Sequence, residues 1–226
     1  MNSEPFDIYK ALSHEVFYQT EGVFYEPLFV FEEKISSLFR YYLLTHSVSR
    51  QFVVESETSL LIERARDKSP ELIDLHFSIT QADADYFDNF VFASILTQLF
   101  SAYEAYLLEL IQILRQKISN QTPFSTENIP TINRYLKWMR DHGGCNLSLS
   151  KEANSLFDIL REIRNRFVHG KVGDFPEQMR CRIDSLKESA HSKGMTENQF
   201  FILSGFRVVG ESAKNVELAF LAVMDN

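Results

Sequence analysis

The stretch from Phe90 to Leu114 limits the fold more than any other part of the chain. Phe92, Ile95, Leu99, Tyr103, Tyr106, Leu110 and Leu114 recur at three- and four-residue spacings, the period of a helix with one buried face. A second apolar row, Val91, Ala102 and Ala105, makes the helix apolar on more than one side. Such a helix is buried against several others, or against a second copy of the chain. Gln98, Glu104, Glu109 and Gln112 interrupt the run, whereas a membrane crossing needs about 20 predominantly apolar residues. A core helix and no membrane partner are therefore expected. Its start is predicted near Asp83-Ala84-Asp85, where carboxylates suit the positive end of the helix dipole, and its end near Ile118.

The rest of the chain supplies helices to surround it. Only 8 Gly and 6 Pro occur in 226 residues, too few for a turn-rich β fold, and 20 Phe with 9 Tyr supply material for a large core. Short helices are predicted over residues 6–18 and from Pro27 to about Leu44. Phe52 to Val54 reads as a short strand, Ser56 to Asp67 as a helix, and Asp67 to Pro70 as a loop. Beyond the central helix, residues 125–141 form a helix capped by Ser125 and ended by Gly143-Gly144. Its Trp138 is read as a packing residue. A charged helix follows Pro176, over residues 177–193. Phe200 to Leu203 reads as a strand, and a last helix covers roughly Val208 to Val223. The expected architecture is an all-α, up-and-down helical bundle. An acidic N-terminal helical extension, residues 1–82, packs on a main domain of residues 83–226.

One helix carries polar chemistry on its open side. From about Ser150, Leu156, Ile159, Leu160, Ile163 and Phe167 form a core face, and Gly170 follows as the stop. Arg161, Asn165 and His169 lie in i, i+4, i+8 register on the other side, with Arg164 and Arg166 flanking them. A fixed cation, an amide and an imidazole thus gather at one helix end, which makes an anion site with a titratable group in it. The plain alternative is that His169 closes the helix against its negative dipole end and the arginines are surface charge. Glu104, set inside the apolar stripe, needs a cationic partner if it is buried. An arginine of this helix is one candidate.

Arg164-Asn165-x-x-x-His169 resembles the Arg-polar-x(3)-His motif of the HEPN superfamily, helical domains that include many metal-independent ribonucleases. Its place at the end of a late helix fits, as does the earlier long helix with Ser101-Ala102-Tyr103-Glu104-Ala105-Tyr106. The likeness covers roughly residues 85–226. It implies Arg164, Asn165 and His169 as catalytic residues, Arg161, Arg166 and Lys171 as RNA-binding residues, and Glu104 as their support. It also implies a homodimer whose motif helices meet across a shared cleft, and no metal or other cofactor.

The net charge of −8 argues against nucleic acid until it is mapped. Residues 1–100 hold 16 acidic and 7 basic side chains, whereas residues 101–226 hold 15 and 16. From Arg161 to Lys187, seven basic residues face four acidic ones, and screening beyond about 8–10 Å lets such a patch act locally. Two cysteines, Cys145 and Cys181, neither build a disulfide framework nor have metal-ligand spacing. With no basic-apolar leader at the start, a cytoplasmic setting is expected. Three function classes remain. The first is an endoribonuclease in a toxin or phage-defence setting, with RNA as partner and a possible cognate antitoxin. The second is a non-catalytic nucleotide- or RNA-binding module. The third is an antitoxin- or immunity-type interaction protein acting through its acidic half.

Overall fold

The computed structural model describes residues 26–65, 70–119, 122–124, 131–147, 151–168, 177–192 and 195–225. Among the described residues all regular structure is helical: α1 (Glu26–Ala65), α2 (Pro70–Lys117), α3 (Thr131–Asp141), α4 (Lys151–Val168), α5 (Glu177–Ser192) and α6 (Glu197–Met224). The α2 helix is the axis of the molecule. Helices α1, α3, α4 and α6 pack on it, α4 also leans on α6, and α5 packs on α6.

The core follows the spacing that defined the central helix. Ile95, Leu96, Leu99, Phe100, Tyr103, Leu107, Ile111 and Leu114 are fully buried. Around them stand Phe31, Ile35, Phe39 and Tyr42 of α1, Leu160 and Ile163 of α4, and Phe206, Val209 and Phe220 of α6. Phe31 stacks on Tyr106 at 4.6 Å, and Phe39 meets Phe206 edge-on at 5.2 Å. The boundary expected at residues 82–83 falls inside α2, and α1 shares this same core. The segment Phe87–Lys117 is long and apolar enough to cross a membrane, and half of its most apolar window is buried by the other helices.

Three elements differ from the expectation. The predicted helix end near Leu44 and the strand at Phe52–Val54 are absent, because α1 continues unbroken to Ala65. No Gly or Pro lies between Pro27 and Pro70 to stop it, and once nucleated a helix adds residues cheaply. Hydroxyls within it are satisfied locally: Thr58 donates to the Val54 carbonyl at 2.7 Å. The central helix starts at Pro70, not Asp83, with proline at the position where a missing N–H costs nothing. Asp83 and Asp85 are therefore mid-helix and cap nothing. Finally, Phe200 to Leu203 is helical, part of α6. That helix begins at Glu197 behind a capping box, in which the Thr196 side chain accepts from the Gln199 N–H and the Gln199 side chain accepts from the Thr196 N–H. The predicted helix over 6–18 and the Ser125 cap lie outside the described residues.

Trp138 is buried, and its indole N–H donates to the Thr122 carbonyl at 2.9 Å, which is a packing role. Beyond the bundle the first two helices continue as an arm. Residues 47–65 and 70–90 contain no buried residue among their described side chains.

Candidate functional site

The motif helix buries Phe157, Leu160 and Ile163 against the bundle, and this fixes the direction of its polar side. Arg161, Arg164 and Asn165 line a cavity of about 470 Å³ together with Asp158 and Phe157 of α4. The opposite wall comes from Phe100 and Glu104 of α2, and Thr131, Ile132 and Asn133 open α3 beside it. The lining combines two aromatic rings with four charged side chains.

Arg164 lies deepest. Its guanidinium carbon sits 5.5 Å from the centre of the Phe100 ring, and Nη2 is 3.9 Å from Glu104 Oε1. Its Nε is buried with no hydrogen-bond partner. A 3.9 Å separation is an ion pair but too long for a hydrogen bond, so Arg164 keeps donor capacity. Burial raises the Glu104 carboxyl above its usual range, and Arg164 offsets part of that rise. Desolvation therefore outweighs the attraction of so distant a partner. Arg161 Nη2 stands 3.4 Å from Asp158 Oδ1, one turn earlier on the same helix.

Glu104 thus faces an arginine of the motif helix, the partner its position in the stripe required. Arg166 takes another direction. Its Nε donates to Glu162 Oε1 at 2.8 Å along the helix, and it does not line the cavity. His169 and Lys171 lie outside the described residues, His169 being the residue after Val168, the last of α4. Sequence reasoning missed Asp158, Thr131 and Asn133. Asp158 was readable, since it precedes Arg161 by three residues on the same helix face. Thr131 and Asn133 gave no local signal, because a tertiary approach across α2 brings them in.

Two carboxylates and two guanidiniums in one cavity give it no net charge. An incoming phosphate would exchange with Glu104 and Asp158 for the arginines, and both existing pairs are loose enough to release them. Of the remaining histidines, His46 contacts Gln199 at 2.8 Å and lies against α6, away from this cavity. Among the described residues, no group of three or more His, Cys, Asp or Glu side chains is placed to hold a metal ion. No family model matches the chain, and neither a curated protein nor a solved structure does.

Proposed function

We propose that the chain is a metal-independent endoribonuclease of the HEPN type, acting in a cytoplasmic toxin or phage-defence setting. The observation that carries this reading is the convergence of Arg161, Arg164 and Asn165 with Glu104 on one cavity, on the helix whose sequence continues into His169. The substrate RNA supplies its own nucleophile. A 2′-hydroxyl attacks the adjacent phosphorus, the P–O5′ bond breaks, and a 2′,3′-cyclic phosphate and a 5′-hydroxyl result. One proton leaves the 2′-oxygen and one reaches the 5′-oxygen, a task for an imidazole that titrates near neutrality. Arg164 holds the phosphoryl oxygens as charge builds on them, since its fork can contact two at once. Asn165 positions a phosphate oxygen or the imidazole, and Arg161 and Lys171 hold neighbouring phosphates.

The paired carboxylates favour a second reading, a non-catalytic HEPN module that binds RNA or nucleotide at the same place. Incubating the purified protein with mixed RNAs in EDTA separates the two. Cleavage with cyclic-phosphate ends, lost in a folded His169→Ala variant, is the expected result. Complete inhibition by EDTA that magnesium restores would overturn the metal-independent mechanism. Binding without cleavage, weakened more by Arg164→Ala than by His169→Ala, would establish the binding module.

A further inference from the structure

The cavity on α4 holds two carboxylates beside its two guanidiniums, and a phosphate alone satisfies only half of that set. When phosphate oxygens take Arg161 and Arg164, Asp158 and Glu104 lose the cations that stand 3.4 Å and 3.9 Å away. A partly buried carboxylate left without a donor is costly. The ligand that fits this lining therefore brings hydrogen-bond donors as well as an anion, and holds the two close together.

Asp158, Arg161 and Asn165 lie in one row of α4, at i, i+3 and i+7. At 1.5 Å per residue the row is about 10 Å long, the reach of one nucleotide from the edge of its base to its phosphate. The cavity of about 470 Å³ also falls among pockets that take one small group, which run from about 300 to 1,000 Å³.

An ionised carboxylate only accepts hydrogen bonds, through two oxygens side by side. Among the RNA bases, guanine alone sets two neighbouring donors, N1–H and the 2-amino group, on one edge. Adenine and cytosine place an acceptor nitrogen beside their amino group, and uracil flanks its N–H with carbonyl oxygens. Each of these would turn an acceptor toward the carboxylate. The same edge of guanine ends in O6, an acceptor, and Thr131 and Asn133 bring a hydroxyl and an amide to this cavity from the start of α3. Asp158 is the freer carboxylate, its side chain 50% exposed against 31% for Glu104. Its ion pair runs along its own helix, whereas that of Glu104 ties α2 to α4.

The geometry points to a guanine-reading site. Asp158 accepts from N1–H and the 2-amino group of an unpaired guanosine in RNA, and Thr131 or Asn133 donates to O6. Arg161, released from Asp158, takes a phosphate of that nucleotide, which leaves Arg164 for the phosphate that reacts. Asp158 is thus a specificity-determining residue. The inference rests on the reading of this cavity as an RNA site and adds which base enters it.

Fluorescence anisotropy of the full chain with labelled 2′-deoxy oligothymidines carrying one central guanine, adenine or hypoxanthine is the test. Hypoxanthine is guanine without its 2-amino group. The unaltered chain is expected to bind the guanine probe about 10- to 100-fold more tightly than the adenine probe, the discrimination of one bidentate pair. Hypoxanthine is expected to lose most of that advantage, a comparison that needs no variant to fold. Asp158→Asn replaces an acceptor with a donor and is expected to erase the differences among the three probes. If Asp158 only steadies Arg161, the variant shifts all three affinities together and keeps their ratios, which overturns the proposal. Equal binding of guanine and adenine by the unaltered chain also overturns it, and leaves the ribonuclease reading standing where mixed RNAs are still cut. A guanine preference without cleavage does the reverse. Guanosine monophosphate that competes as well as the unlabelled oligonucleotide would make a free nucleotide the ligand and refute the assignment to RNA.

Discussion

Arg164 concentrates the cavity's unused donor capacity in one side chain. Its guanidinium is stacked near Phe100, loosely paired with Glu104, and holds one buried N–H without a partner. Arg164→Lys keeps the charge but loses the planar fork and the ring contact, and a point charge cannot hold two phosphate oxygens in fixed geometry. The expected outcome is a fall in kcat of about 10²-fold, the size seen when one transition-state donor is removed, with a smaller change in KM. Steady-state kinetics on a short RNA decide it: near-normal turnover in the lysine variant would reduce Arg164 to an electrostatic attractor. A second residue speaks to stability. Burial, with the Glu32 carboxylate as a further cause, pushes the Glu217 carboxyl up to about 7. Neither Glu217 Oε1, Glu32 Oε1 nor the Tyr106 hydroxyl has a hydrogen-bond partner. In the unfolded chain Glu217 ionises near 4.5, so the native state holds a proton that the unfolded state releases. The stabilisation is complete below pH 4.5 and is lost as the pH rises through about 7. By linkage the loss falls in the window between about pH 4.5 and 7. Glu217→Gln is expected to remove this slope and to be more stable than the parent above neutrality, which urea melts between about pH 4 and 8 would show. An unchanged slope in the variant would place the titrating group elsewhere.

Helix α6 packs tightly against α2 at Gly205. A Cβ added there would meet Leu96 Cδ2 at 3.2 Å and Leu99 Cδ2 at 3.3 Å, with Leu160 of α4 at 3.8 Å. Alanine would gain about 1 kcal/mol of helix propensity, and the leucine methyls need give only a few tenths of an ångström. Gly205→Ala is expected to be near neutral, whereas Gly205→Val adds branches that cannot fit and costs about 1–3 kcal/mol. Denaturant midpoints of the two variants measure the slack between these helices, and a valine variant as stable as the parent would show that the leucines move freely. The same contact explains what was legible at this scale. The buried faces of α2 and α4 were readable because side chains at three- and four-residue spacing must share a surface. Their ends were less so. Phe52 to Val54 has strand-forming residues, yet it lies in a run without Gly or Pro, where helix propagation overrides local preference. Thr196-x-x-Gln199 marks the start of α6, but the apolar run Phe200 to Leu203 directly behind it imitates a strand. In the cavity, Arg161, Arg164 and Asn165 were legible because one helix sets their spacing. Thr131 and Asn133 were not, since nothing local records which cavity a helix start will face.

At the scale of the whole molecule, charge is divided between the arm and the bundle. The first hundred residues carry a net −9 and the remainder +1, and from Arg161 to Lys187 basic residues outnumber acidic ones seven to four. A chain of this balance cannot hold RNA by a broad electrostatic surface. If the proposed function holds, a few cations, Arg161, Arg164 and Lys171, must do so locally, against a background that repels phosphate beyond the screening length. Each phosphate neutralised on a single strand contributes about −0.7 to the slope of log K against log salt concentration. Three contacts therefore predict a slope of about −2, shallow for a nucleic-acid-binding protein. Fluorescence anisotropy of a labelled, non-cleavable 2′-deoxy oligonucleotide across a salt series measures it. Arg161→Ala should then weaken binding and lower the slope by roughly one contact, about 0.7. A slope steeper than about −5 would need roughly seven or more phosphates. That is more cations than this cavity can supply, and the binding surface would then have to lie outside the motif helix.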